Sequence, residues 1–113
     1  MPSKSRSKTI TRDPNWLGPT IHPGEILSEE FLKPLELGQV EAARRLDISL
    51  NRLNEIVLGK RRVSAETALR LGRYFGMSPQ FWLGLQAEYD LDVASDELGE
   101  RLLQEVKVRA KAS

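Results

Sequence analysis

The fold of this chain is decided by residues 39–56, which read QVEAARRLDISLNRLNEI. Apolar residues recur at helical spacing on both sides of a short break at Asp47-Ile48, which predicts a short helix, a tight turn and a second short helix. Ala43 supplies the small side chain needed where two steeply crossed helices touch. The spacing predicts a helix-turn-helix. The residues expected to face inward are Ala42, Leu46, Ile48, Leu53 and Ile56.

Short signals place the ends of these two helices. Asp47 stands in the turn, where glycine is common, and aspartate tolerates the left-handed backbone conformation better than most residues. Ser49 is a good N-cap for the second helix, since its hydroxyl can accept a hydrogen bond from a free backbone N–H. Gly59 is placed to end that helix, which we therefore predict to run from Ser49 to about Leu58.

The rest of the chain from His22 onward is also helical in pattern, with no alternation long enough for a strand. A first helix is predicted from about Pro23 to Lys33, where Pro34 ends it. A fourth helix is predicted after the cap Ser64. A fifth begins at Ser78-Pro79, and a last one runs from about Asp96 to Arg109. The predicted fold class is all-α, a compact bundle of five to six helices with a repressor-like helix-turn-helix.

The chain divides into three predicted segments. Residues 1–20 are rich in Ser, Thr, Lys, Arg and Pro and are expected to form a basic, flexible N-terminal arm. Residues 21–91 form the predicted helix-turn-helix domain, and residues 92–113 a C-terminal helical extension. These segments fit one domain of 113 residues.

Composition argues against most kinds of catalysis. Cysteine is absent and His22 is the one histidine, so thiol chemistry and a histidine metal cage are excluded. We read His22 as a capping or surface residue and expect no enzyme, cofactor or metal. No apolar run reaches the roughly 20 residues that cross a bilayer, and the N-terminus has no apolar stretch of a secretory signal. We therefore expect a soluble, cytoplasmic protein without a membrane partner.

Charge is balanced overall and polarised along the chain. The net charge is +1 from 17 basic and 16 acidic residues. Residues 1–12 hold four bases and no acid, residues 37–73 hold eight bases and four acids, and residues 74–100 hold six acids and no base. One interpretation is that the protein presents a basic face to a polyanion; the other is that these are solvated helix faces whose charges do not cluster.

The second helix of the motif has an unusual predicted outward face, formed by Asn51, Arg52, Asn54 and Glu55. Asn can pair with adenine through two hydrogen bonds and Arg with guanine, while Glu can accept from cytosine. This set predicts readout of base edges in DNA. The alternative is that these are ordinary solvent-facing residues of a surface helix.

A second set of residues is suited to the phosphate backbone. Ser49 lies at a helix N-terminus, where phosphate binds readily, and Gln39 begins the preceding helix. Lys60, Arg61 and Arg62 follow the second helix and supply positive charge. The alternative for these three is a solubilising loop.

Three longer stretches carry a resemblance to a known family. They are residues 21–37 (IHPGEILSEEFLKPLEL), 51–76 (NRLNEIVLGKRRVSAETALRLGRYFG) and 78–91 (SPQFWLGLQAEYDL). The chain resembles the HigA-type antitoxins, also described as VapI-like, within the XRE or Cro/cI-type helix-turn-helix class. The resemblance implies a dimer that binds an operator, represses its own operon and neutralises a HigB- or RelE-type ribonuclease toxin. Some members are solitary regulators, an alternative that the sequence leaves open.

Two questions about partners remain open at this point. Phe81, Trp82, Leu85 and Tyr89 recur at helical spacing and could fill the core or form a dimer interface; we favour the core. A second hypothesis makes the chain mainly a protein-interaction module, in which the acidic residues 88–100 and the terminal helix bind a basic ribonuclease.

Overall fold

The computed structural model describes residues 21–110, which contain six α-helices, one π-helical segment and no strand. This confirms the predicted all-α fold. The prediction of a flexible arm over residues 1–20 lies outside the described residues. The helices are α1 (Pro23–Ile26), continued directly by the π-helical segment (Leu27–Leu32), then α2 (Gln39–Leu46), α3 (Leu50–Val57), α4 (Ala65–Phe75), α5 (Pro79–Leu98) and α6 (Arg101–Glu105).

Serine side chains cap three of these helices, as the sequence predicts. The hydroxyls of Ser49, Ser64 and Ser78 each accept a hydrogen bond from the backbone N–H three residues later, at 3.0, 3.2 and 3.3 Å. Each bond satisfies one of the N–H groups that a helix leaves free in its first turn. The starts of α3, α4 and α5 are therefore fixed by local chemistry.

The turn of the helix-turn-helix has the predicted left-handed residue. Asp47 has φ 58° and ψ 48°, and the N–H of Ile48 donates to the carbonyl of Ala43 at 3.1 Å. Gly59 repeats this arrangement after α3, with φ 79°. Both positions turn the chain into the left-handed region, so that α2 ends at Leu46 and α3 at Val57.

The core lies between the first helix, α2, α3, α4 and α5. Trp82 is its largest fully buried side chain, and its ring centroid lies 5.1 Å from those of Phe31 and Phe81. At Gly24 the first helix approaches α3 so closely that a Cβ would lie 1.8 Å from the carbonyl oxygen of Ile56. The back of α3 is therefore in direct contact with the backbone of α1.

The prediction of a last helix over residues 96–109 is wrong. α5 continues through Leu98, and the chain breaks at Gly99, whose φ of 55° is left-handed. α6 then spans five residues, and Val106 is already extended, with φ −120°. Residues 101–110 are all exposed, so no tertiary contact extends this segment into the longer helix that its spacing predicts. Because α5 is continuous, it also passes through the boundary predicted at residues 91–92.

Within residues 21–110, no helix combines the length and the apolar character that crossing a membrane requires.

Candidate nucleic-acid interface

The orientation of α3 is set by its buried side. Leu53 and Ile56 are completely buried, and Leu50 and Asn51 are exposed on the first turn of the same helix. Buried and exposed residues alternate at helical spacing, so one side of α3 is held by the core and its N-terminal turn projects outward. The prediction that Asn51 faces solvent is confirmed.

The structure joins two of the predicted site residues. The amide nitrogen of Asn54 donates to the side-chain oxygen of Gln39 at 3.2 Å, which ties the middle of α3 to the first residue of α2. Both side chains are half-buried. The bond leaves the side-chain nitrogen of Gln39 and the side-chain oxygen of Asn54 available, and the two helices of the motif present these groups as one surface.

The expectation that Arg52 stands outward is not met. Its side chain is only 24% exposed, and Nη2 donates to the hydroxyl of Thr67 at 2.7 Å and lies 3.5 Å from a carboxylate oxygen of Glu66. The guanidinium therefore binds the first turn of α4 instead of projecting from α3. A base contact by Arg52 would require a different rotamer, and that role stays a prediction.

The basic loop after α3 is less positive than its sequence suggests. Arg61 forms an ion pair with Glu55 at 2.7 Å, and Arg62 with Asp90 at 2.9 Å. Lys60 is exposed and forms no ion pair with any residue in the 21–110 range. Glu55, which the sequence predicts to read a base, is thus half-buried and paired with Arg61. Among the three cations of this loop, Lys60 is the one whose charge is not offset by an ion pair with a residue in the range 21–110.

A buried glutamine behind this loop was missed by sequence reasoning. Gln86 is 2% exposed; its oxygen accepts from the backbone N–H of Val63 at 2.7 Å, and its amide donates to Asp90 at 3.0 Å. Asp90 in turn holds Arg62. Gln86 therefore links α5 to the basic loop. A polar residue on the apolar side of a helix is the signal that could have found it, because a buried amide needs partners.

Arginine pairing also sets the acidity of nearby carboxyls. Hydrogen bonds from Arg44 and Arg45 lower the pKa of Glu41 on α2 to about 2. A hydrogen bond from Arg70, supported by the charge of Arg52, lowers the pKa of Glu66. Both carboxylates stay ionised at neutral pH and offset arginine charge. The local excess of bases in residues 37–73 is therefore partly neutralised within the chain itself.

His22 serves as a helix cap. Its Nδ1 accepts from the N–H of Gly24 at 2.8 Å, and its ring meets that of Tyr89 edge-on at a centroid distance of 4.8 Å. Burial lowers its pKa, and the nearby charge of Asp90 opposes this shift. The neutral imidazole is the form that can accept this bond, so the lowered pKa and the capping role agree.

The aromatic residues proposed for a dimer interface divide into two kinds. Trp82 is 0% exposed, so assigning it to an interface is wrong: the chain's own core already covers it. Phe81, Leu85 and Tyr89 are half-buried and keep some exposed surface. A dimer contact by these three stays a prediction.

The pair of Arg62 and Asp90 leads to a test. Asp90→Asn removes the carboxylate and keeps an oxygen that can accept from Gln86. We expect about two- to five-fold tighter binding to any DNA duplex, because Arg62 becomes free to contact a phosphate. Fluorescence anisotropy titrations at several salt concentrations measure this, and the salt slope should steepen by about 0.9.

Two controls isolate the effect. Asp96→Asn makes the same change of charge on the same helix, at an exposed residue with no ion pair to any residue in the structure's described range. In an Arg62→Ala background, Asp90→Asn should increase the affinity for DNA no more than Asp96→Asn does. An equal gain from both variants in the native background would show that net charge alone, and not release of Arg62, is responsible.

The fold and this surface together define a helix-turn-helix protein with an outward-facing second helix. The family model described as "Helix-turn-helix" matches residues 29–82. The virulence-associated protein I of Dichelobacter nodosus is 52% identical over 79 residues, covering 70% of this chain and 73% of that protein.

Two solved structures are also similar. The Pseudomonas aeruginosa antitoxin HigA, solved with the higBA promoter, has a TM-score of 0.78 and 43% sequence identity. The match covers 80% of this chain and 99% of the HigA chain. The antitoxin GraA in complex with its operator has a TM-score of 0.78 and 36% sequence identity. The match covers 88% of this chain and 100% of the GraA chain. The chain belongs to the helix-turn-helix family of the HigA and VapI-type antitoxins, which confirms the resemblance seen in the sequence. The proteins of this family are DNA-binding regulators and antitoxins and not enzymes.

Proposed function

We propose that this protein binds an operator upstream of its own gene and represses transcription by blocking access to the promoter. The observation that carries the proposal is the exposed first turn of α3 with Asn51, beside the Gln39–Asn54 pair of the two motif helices. Similar antitoxins solved on promoter and operator DNA support it. In this binding mode the N-terminal part of α3 enters the major groove, where base edges are distinguishable.

The proposed active form is a homodimer. Two copies would place their α3 helices about one turn of DNA apart, roughly 34 Å, in successive major grooves. Each half-site would then be read by one chain, so the operator should be an inverted repeat. Analytical ultracentrifugation of the protein alone and on DNA measures the number of chains bound.

Separate residues should govern specificity and general affinity. Asn51→Ala should lower affinity for the upstream duplex by about 1–3 kcal/mol and leave binding to a random duplex nearly unchanged. Lys60→Ala should weaken both duplexes alike and flatten the salt slope by about 0.9, since it removes one phosphate contact. Competition titrations with the two duplexes measure both effects. Equal losses on both duplexes for Asn51→Ala would contradict base reading by this residue.

The second half of the proposed function is neutralisation of a ribonuclease toxin of the HigB or RelE type. Membership of the antitoxin family supports it, and so does the acidic stretch of residues 74–100, which has the charge to attract a basic enzyme. Co-expression with the neighbouring reading frame tests it. A stable complex that protects mRNA from cleavage supports an antitoxin; a DNA-binding chain with no such partner is the solitary regulator.

A further inference from the structure

Leu50 is an apolar residue exposed among polar ones. It is the first residue of α3, directly after the cap Ser49, and its side chain is 46% exposed. The apolar residues that hold α3 in the core are Leu53 and Ile56, both at 0% exposure. Leu50 is therefore not needed to anchor the helix, and its surface is turned toward solvent at the end of α3 that is proposed to enter DNA.

Helical spacing places Leu50 on the proposed reading surface. Residues four positions apart lie on the same side of a helix, so Leu50 shares a side with Asn54. Asn54 is bonded to Gln39 at the start of α2, which fixes the direction of that side. Asn51 is the next residue along the exposed turn. Leu50 thus lies beside Asn54, at the edge of a surface whose polar side chains can form hydrogen bonds with bases.

The chemistry of leucine restricts what it could recognise there. It has neither a donor nor an acceptor, so it cannot pair with the polar edges of a base. In the major groove, the C5-methyl group of thymine is the apolar feature that the four base pairs present. We infer that Leu50 reads a thymine methyl group in each half-site, and that it is a specificity-determining residue of the operator contact. This inference rests on the proposed DNA binding.

Deoxyuridine provides a probe that removes only this methyl group. A duplex from the upstream region is amplified once with thymidine triphosphate and once with deoxyuridine triphosphate, and binding of the full-length protein to both is titrated. The native protein should bind the uracil form more weakly, by about four-fold for each methyl group that it buries. Leu50→Ala should bind the thymine form more weakly and bind the two forms about equally.

Leu58→Ala is the matched control. Leu58 is also an exposed leucine, 57%, at the opposite end of α3, and this variant should keep the native ratio between the two duplexes. A random duplex in both forms corrects for any change in DNA shape.

The possible outcomes separate this inference from the proposed function. A native preference for thymine that persists unchanged in Leu50→Ala would overturn the role of Leu50 alone. Specific binding of the native protein with equal affinity for the thymine and uracil duplexes would also overturn the role of Leu50 alone. If the native protein bound the upstream duplex no better than the random one, the proposed function would fail and this inference with it.

Discussion

Gly24→Ala is expected to lower the free energy of unfolding by about 3 kcal/mol and to abolish specific DNA binding. The added Cβ would lie 1.8 Å from the carbonyl oxygen and 2.7 Å from the carbonyl carbon of Ile56, and no side-chain rotation can relieve these two contacts because both atoms belong to the backbone. The first helix or α3 must therefore move, which places the change at the upper end of overpacking effects. Because Ile56 belongs to α3, the displacement is expected to reach the surface proposed to contact bases.

Gly84 offers a matched control for this substitution. It is a helical glycine in α5, and a Cβ there would meet nothing within 4 Å. Gly84→Ala should raise the free energy of unfolding by about 0.5–1 kcal/mol, since alanine has the higher helix propensity. Urea unfolding followed by circular dichroism measures both variants. Equal stability of the two variants would contradict a close backbone contact between α1 and α3.

Trp82→Ala is expected to have the other large effect, a loss of about 3–5 kcal/mol in the free energy of unfolding. Trp82 is fully buried, and its ring packs against Phe31 and Phe81. The variant would lose both the transfer free energy of the indole and the packing of its neighbours. Thermal unfolding measures the loss, which is a large fraction of the roughly 5–15 kcal/mol free energy of unfolding of a domain of this size.

A second substitution keeps this prediction testable if the alanine variant fails to fold. The indole nitrogen of Trp82 is buried, with no hydrogen-bond partner among residues 21–110. Trp82→Phe therefore removes no hydrogen bond and should cost much less than Trp82→Ala. Sedimentation of Trp82→Phe should give the native oligomeric state. A stably folded Trp82 variant that had lost its self-association would instead support the interface role that the burial of this residue argues against.

Local chemistry was enough to predict the helix-turn-helix from the sequence. The serine caps, the left-handed Asp47 and the ending glycine each act within three to five residues of their partners, so their effect can be read from adjacent letters. The same holds for the exposed position of Asn51, which follows from the period of the helix and the buried Leu53 and Ile56. Family membership was likewise visible in the order of the longer stretches.

The last helix shows where this local reasoning fails. Its apolar spacing is helical, but a helix of this length is marginal unless tertiary contacts hold it, and residues 101–110 have none that bury them. The same limit applied to Trp82. Its spacing on α5 fits both a core and an interface, and only the surrounding helices decide between them.

The sequence by itself determined the motif, the ends of its two helices and the outward position of Asn51. The tertiary structure decided which charged side chains are free: Arg52 is bound to the start of α4, and Arg62 is held by Asp90 and, through it, by Gln86. The physical reason is distance along the chain. Caps and turns join residues a few positions apart, whereas Arg52 and Thr67 are 15 apart and Arg62 and Asp90 are 28 apart. Those pairs meet only when the helices pack.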